Sequence, residues 1–571
     1  MSTQRVPSSE KQIIQANNGD YIGNVFNSYN IDLDSNPGAI KVSKKLTRVL
    51  DDTQWGTDDI VQALQIHDGY YYVATSDAVF RCSVSNDPTV DTNWTDIATL
   101  SLEDLGLETD ITSFNGLLLI SLGTDIMSWV GAVKDNDWWD VTTSGSVLTA
   151  NFTHTMEVLR SGLDTLFVTN SNQVRYYNTA AGHTTITLDT FMVASCLAPS
   201  LDRMWVGTYT EVENNAFVYE LRVGDTQALQ AYEVDGRVCL TAFTYGNTPF
   251  VITERGFIQG FDGAGFKTVA QFPWANDSKV MEGCRPGLVQ DLSTAKAIHP
   301  KGAKVKGKYC YIYVNTDDEY VSTAVNLTPR AASGVWVLDL ETYSLTHRYA
   351  LNEDESTYGT HKVDRSGPVL ITNTPETRIM VGGAVNATEG VWMESNEVNQ
   401  GYFTTVRHES DSVDDTFEKV IVKADQLDAT ESITVKHKDI SYSNLPLEVQ
   451  DITWLNATQF TTLATLTNVA IGDEVEICAG FAAGQVCNIT AIEGSITKTV
   501  TVDTSIGVLN SLSDVYFSSY KKIANIYTSD DGEVKTIGAG EVAPSRQYKV
   551  VMQGDVTLRG IISKSNVKHE V

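Results

Sequence analysis

Cys478 and Cys487 flank the glycine-bearing stretch AGFAAGQV, a placement that could turn two thiolates toward one metal ion. A structural zinc site needs about four such ligands. No second CxxC and no nearby His joins the pair, so packed core thiols are the expectation. Cys82, Cys196, Cys239, Cys284 and Cys310 are scattered along the chain, and the total of seven is odd. That usage suits reduced thiols better than a disulfide framework. The nine His show no HxxH, HExxH or HxH spacing, which removes the usual zinc-hydrolase signatures. Ser195-Cys196 and Gly283-Cys284 lack the context of a nucleophile elbow, GxSxG is absent, and there is no Walker loop. A glycosidase needs two placed carboxylates, and among 72 Asp and Glu residues the sequence singles out no pair. The expectation is a protein that is not an enzyme, with no catalytic residue, no metal site and no cofactor.

Two weaker signals concern carbohydrate. Trp94, Trp138, Trp139, Trp336 and Trp392 could stack on sugar rings, but Trp on apolar strands more often fills a core. The stretch TSDDGEVKTIG, Thr528 to Gly538, resembles in part the Asp-box hairpin of sialidase-like propellers. It carries Val where that motif's tryptophan-bearing end belongs, so a type I′ hairpin turn is the plainer reading. Triplets such as Asn93-Trp-Thr95 and Asn386-Ala-Thr388 match the glycosylation pattern. They are compositional in a Thr-rich chain whose first residues, MSTQRVPSSEKQIIQ, do not read as a secretory signal.

Charge narrows the partners. Lys plus Arg number 41 against 72 for Asp plus Glu, a formal charge of −31. Such a surface repels nucleic acid and anionic membranes, so specific DNA binding is not expected. No apolar run reaches the roughly 18 residues of a spanning helix, and no membrane insertion is expected.

The elements that would have to position any site are β-strands, and they repeat. From 60 to 395 a turn bearing Gly, Asp or Pro leads into a strongly apolar strand, a second turn and an aromatic-rich strand. The late apolar residue of the first strong strand falls at Val73, Ile120, Val168, Val206, Ile252, Val314 and Val381. The intervals are 47, 48, 38, 46, 62 and 67 residues. A four-stranded propeller blade takes about 40–50 residues. The last two intervals then require insertions, with candidates at Trp274 to Ala303 and Asn315 to Ser333. Runs such as YYYVA, LLLIS and YIYV are continuous rather than alternating, as befits strands buried on both faces. The best helix candidate is SLEDLGLE, Ser101 to Glu108.

The ends differ. Gly19 to Asp52 contains an NPG turn and a strand-like AIKVSKKLTRVL that could complete the last blade or dock on a partner. FEKVIVKADQ and ESITVKHKD alternate as half-exposed strands, and the pattern resumes from Lys521. Together these predict a five-stranded sandwich, interrupted by glycine-cornered hairpins. The predicted fold is all-β: a seven-bladed β-propeller followed by a β-sandwich carrying an inserted small β-barrel. The boundaries are 1–58 for an N-terminal arm with closing strands, 59–405 for the propeller, 406–439 and 521–571 for the sandwich, and 440–520 for the barrel.

The stretch NSYNIDLDSNPGAIKVSKKL, Asn27 to Leu46, resembles the opening of β-propeller tail proteins of tailed bacteriophages. The C-terminal order FEKVIVKAD, SITVKHKD, IYTSDDGEVKTIG, LRGIIS is similar to theirs as well. The resemblance implies a virion structural protein of the tail, a nozzle or tail-hub component that assembles in the host cytoplasm. Its implied partners are other copies in a ring-like homo-oligomer and portal, adaptor or other tail proteins. The genome would pass during ejection without specific binding. An acidic lumen would then serve to repel the passing phosphates. The alternative reading is a glycan- or receptor-binding surface protein, and a third is a carbohydrate-active enzyme.

Overall fold

The computed structural model describes residues 9–566 apart from 16–24, 33–38, 52–59, 98–108, 273–297, 316–333, 352–362, 410–415, 440–446, 481–485, 528–532, 539–544 and scattered gaps of one to four residues. The helix candidate at 101–108 and most of both proposed insertions lie outside the described residues.

Between 44 and 398 the described strands form seven antiparallel sheets that follow one another along the chain. Blade 1 is typical, with strands Ala63–His67, Tyr70–Ala74, Val79–Ser83 and Trp94–Asp96 in sequence order. Blades 2 to 6 begin with Ile111–Phe114, Met156–Ser161, Val193–Ser200, Cys239–Tyr245 and Ala303–Lys306, and each adds three further strands in order. In blade 7, Val369–Ile371 and Val363–Arg365 share the edge of Ile379–Val385, which pairs with Thr388–Val398. The outermost strand of blade 7 is Lys44–Asp51, from the N-terminal arm.

The first strand of each blade packs against that of the next, and Val369–Ile371 of blade 7 packs against Ala63–His67 of blade 1. The seven sheets therefore close into a ring, the propeller expected from the repeat. The seven aligned apolar residues all lie on the second strands of their blades and are fully buried. Tight turns join first to second strands. In blades 1 and 2 these are Asp68-Gly69 and Asn115-Gly116, all four residues at positive φ, as a type I′ turn requires. The described α-helix Trp138–Thr143 follows blade 2 and buries Trp139 against blades 2 and 3.

The sandwich is larger than a five-stranded one. One sheet runs Ile31–Asp32, Ile40–Val42, Thr557–Asn566, Thr416–Ala424, Glu533–Gly538, with Ser9–Gln15 also on Thr557–Asn566. The facing sheet runs Val25–Tyr29, Gln400–Thr405, Ser545–Gln553, Ser432–Asp439, Leu512–Ile526. Strands expected in the arm and at the end of the propeller thus belong here. Their inward residues explain it: Ile31, Ile40, Val42 and Phe403 join Val420, Val435, Val550 and Ile561 in one core.

The strand Leu512–Ile526 is 15 residues long and leaves the sandwich to enter the barrel. There it pairs on one side with Leu447–Asn456 and on the other with Asp473–Gly480. Gln459–Thr462, Lys498–Val502 and Val486–Glu493 complete the circuit between those two. This is a closed six-stranded barrel around Trp454, Phe460, Val475, Ile489, Val500 and Val515. Closure leaves no unpaired edge among these strands.

Candidate functional site

The start of each first strand faces one end of the propeller axis, and there the blades are stitched by side chains. Gln62 of blade 1 accepts from the Thr109 N–H of blade 2. Asp110 of blade 2 accepts from the Met156 N–H of blade 3 at 2.6 Å. The Thr155 hydroxyl donates to the Ser195 carbonyl of blade 4 at 3.3 Å, and the Ser195 hydroxyl to the Cys239 carbonyl of blade 5 at 2.7 Å. Thr241 donates to the Pro300 carbonyl leading into blade 6 at 2.8 Å, and the Lys301 carbonyl accepts from the Val369 N–H of blade 7 at 2.9 Å. The Val61 N–H closes the circle on the Glu389 carboxylate of blade 7 at 3.3 Å. Each contact gives a backbone N–H or carbonyl at a blade seam a partner from the neighbouring blade.

Across this ring lies a charge cluster. Lys301 enters from blade 6, and its ammonium sits 2.5 Å from Glu157 of blade 3 and 3.4 Å from Asp110 of blade 2. It also donates to the Met156 carbonyl. Blades 2 and 3 stand opposite blade 6 in a ring of seven, so the side chain spans the axis. Burial works against the ammonium, but the two carboxylates hold Lys301 above its ordinary range. Glu157 is held below its ordinary value because Lys301 and Lys304 outweigh its desolvation, whereas for Asp110 burial prevails and raises it. Chemically the cluster is a latch: the Lys301 ammonium is held by two carboxylates and the Met156 carbonyl. At the next seam His154 is fully buried, its Nδ1 2.9 Å from the Thr169 carbonyl and its Nε2 2.7 Å from the Gly123 carbonyl.

A second charge cluster joins sandwich and barrel. Glu474 on the barrel is fully buried, with Lys436 at 2.5 Å and Lys549 at 2.8 Å, both lysines on sandwich strands. Burial alone would raise its carboxyl, but the paired ammonium groups overcome that and hold it at about 2. The Lys549 ammonium also lies 4.2 Å from the centre of the Tyr402 ring. A third joint ties propeller to sandwich. The Asn30 N–H donates to His347 Nδ1 at 3.0 Å, and Arg348 pairs with Asp32 at 3.0 Å.

Most of the described residues that the sequence offered for chemistry are placed as core. Trp94, Trp139, Trp336 and Trp392 are buried and Trp138 is half-buried. Trp94 spends its N–H on the Pro88 carbonyl at 2.9 Å. Cys82, Cys196, Cys239, Cys310 and Cys487 are buried free thiols, and burial pushes Cys82 up to about 11 and Cys196 up to about 12. Cys284 and the side chain of Cys478 lie outside the described residues, as does the first half of the Asp-box-like stretch; its second half, Glu533–Gly538, is a sandwich strand. Among the described residues no group of three or more His, Cys, Asp or Glu is arranged to hold a metal ion. No described helix is long and apolar enough to cross a membrane. The axial latch and the Glu474 cluster were not legible as motifs, because each joins residues far apart in sequence.

No family model matches the chain, and no curated protein matches it. Among solved structures it is similar to virginiamycin B lyase from Staphylococcus aureus, at 9% identity and a TM-score of 0.38, over 60% of this chain and 97% of that one. It is also similar to the Dos1 propeller, at 11% identity and a TM-score of 0.35, over 69% and 96%. The Pan2 WD40 domain of Neurospora crassa matches at 9% identity and a TM-score of 0.36, over 60% and 90%. The propeller assignment rests on this chain's own sheet order and its closed ring of first strands.

Proposed function

We propose that this chain is a non-catalytic structural protein of a bacteriophage tail, an oligomeric nozzle or tail-hub component that surrounds the passing genome. The observation that carries the reading is where its signature residues lie. Within Asn27 to Leu46, the stretch similar to tail proteins, the described residues 27–32 and 39–42 run along both sheets of the sandwich before 44–46 open the strand that closes blade 7. The C-terminal stretches of the same resemblance supply the neighbouring sandwich strands. One continuous segment thus staples sandwich to propeller, and Glu474 staples barrel to sandwich. A rigid block of this kind suits a part that transmits position within an assembly, and the charge of −31 suits a wall past which DNA slides without sticking.

Mass photometry of the purified chain tests this. The reading expects closed assemblies of defined copy number at low micromolar concentration or below. A persistent monomer that binds defined glycans on an array would replace it with a glycan-binding role.

A further inference from the structure

Between Val25–Tyr29 and Ile31–Asp32 the chain passes from one sheet of the sandwich to the other, and Asn30 is the corner. It takes a left-handed backbone conformation, φ 54°, which Asn tolerates better than most residues. Asn30 is buried, and its polar groups reach in three directions. Its carbonyl accepts from the Ser43 N–H at 3.1 Å, and its side-chain amide donates to the Gln400 carbonyl at 2.9 Å. Its backbone N–H donates across the joint, at 3.0 Å, to Nδ1 of His347 on Leu345–Tyr349, the outermost strand of blade 6. A ring nitrogen that accepts carries no proton, so this bond exists only with a neutral imidazole whose hydrogen is on Nε2. His347 is fully buried; the Trp336 ring meets it edge-on at 5.3 Å, and a Cβ at Gly334 would lie 2.8 Å from its Nε2. Packing of this kind leaves the ring little room to turn away from Asn30.

We infer that His347 is a protonation-sensitive catch between propeller and sandwich: neutral, it holds the corner of the sandwich, and protonated, it lets that corner go. Protonation puts a hydrogen on Nδ1 where the Asn30 N–H now points, so two donors face each other and a buried backbone N–H loses its acceptor. It also places a charge at a fully buried site. The strands packed against Leu345–Tyr349 are Gly334–Asp339, Val25–Tyr29, Ile31–Asp32 and Lys44–Asp51. The charged side chains described on them are Asp339, Asp32, Lys44, Lys45 and Arg48, with Arg348 and the titratable Tyr349 on the strand itself. Most are engaged: Asp339 with Lys308 at 2.7 Å, Asp32 with Arg348 at 3.0 Å, Lys44 with Glu394 at 3.5 Å and Lys45 with Glu397 at 3.6 Å. Arg348, next in sequence, is a like charge that disfavours an imidazolium beside it. Imidazole in water takes its proton near about pH 6.5, above the range in which paired carboxylates titrate. The neutral ring's contribution is thus complete above that value and is lost as pH falls below it, while the ion pairs persist. The catch lies within one chain and is independent of any tail role.

Hydrogen–deuterium exchange of the full chain at about pH 7.5 and about pH 5, normalised to the intrinsic rate at each, tests this across the imidazole range. Protection of peptides covering 25–32 and 345–349 is expected to fall about tenfold at the lower pH. The blade 3 strand Leu163–Asn170 is expected to keep its protection. His347→Asn, whose Oδ1 can accept in place of Nδ1 and does not titrate, is expected to remove the pH response. If far-UV circular dichroism shows that variant to be unfolded, His347→Gln takes its place. The proposal is overturned if wild-type protection at the joint is the same at both pH values, or if it falls equally in every blade. It is also overturned if the folded variant responds to pH as the wild-type chain does.

Discussion

Glu474 shows how single side chains hold this molecule together. A fully buried carboxylate is tolerable only because Lys436 and Lys549 reach it from two sandwich strands. Its carboxyl lies at about 2 in the folded chain against an ordinary 4.5. A carboxyl depressed on folding contributes stability that is complete above the ordinary value and is lost as pH falls from there through the folded value. Acid titration monitored by chemical denaturation should therefore show stability falling between about pH 4.5 and pH 2, by on the order of 3 kcal/mol from this group. Glu474→Gln should remove that component and cost about 3 kcal/mol or more at neutral pH, because two buried ammonium groups lose their partner. Lys301→Met should cost a similar amount through Asp110 and Glu157, read as a lower urea midpoint. Gly207 marks a different constraint. A Cβ there would lie 2.5 Å from Cys196 Sγ and 2.8 Å from the Cys239 Cβ, at the seam of blades 4 and 5. Gly207→Ala should destabilise by about 1–3 kcal/mol from overpacking.

Among the elements, the strand Lys44–Asp51 has the widest consequence. It pairs along Thr388–Val398, buries Leu46, Val49 and Leu50, and so completes the last sheet with the start of the chain. Closure of this kind makes a ring cooperative, because the first and last blades are held by a strand distant in sequence. Leu46→Ala should cost about 2–5 kcal/mol by leaving a cavity. Removal of residues 1–51 should lower the melting temperature and broaden thermal unfolding, as followed by circular dichroism. The repeat itself was legible because packing between blades demands it. A second strand buried on both faces must be a continuous apolar run, and Val73, Ile120, Val168, Val206, Ile252, Val314 and Val381 each sit in one at zero exposure. Sandwich membership was less legible. Gln400–Thr405 reads like one more blade strand, and only Phe403 meeting the core of Val420 and Val550 reveals its place. Lys301 was hidden for a related reason. It stands in a stretch that reads as an insertion, and its partners at 110 and 157 belong to blades across the ring. Spacing along the chain carries no trace of such a meeting.

At the scale of the whole molecule, three β-modules are joined by buried charges and by shared strands rather than by linkers alone. The long strand Leu512–Ile526 belongs to both barrel and sandwich, and the N-terminal segment to both sandwich and propeller. These shared strands and buried pairs tie the three modules to one another. Under the proposed tail role, the charge of −31 would suit a wall around passing DNA. The most direct test is electron cryo-microscopy of the purified full-length chain. The account expects closed rings with cyclic symmetry, in which propeller, sandwich and barrel keep one arrangement in every copy around an open lumen. Isolated copies whose barrel and propeller take many relative orientations, at concentrations where tail proteins would assemble, would contradict it.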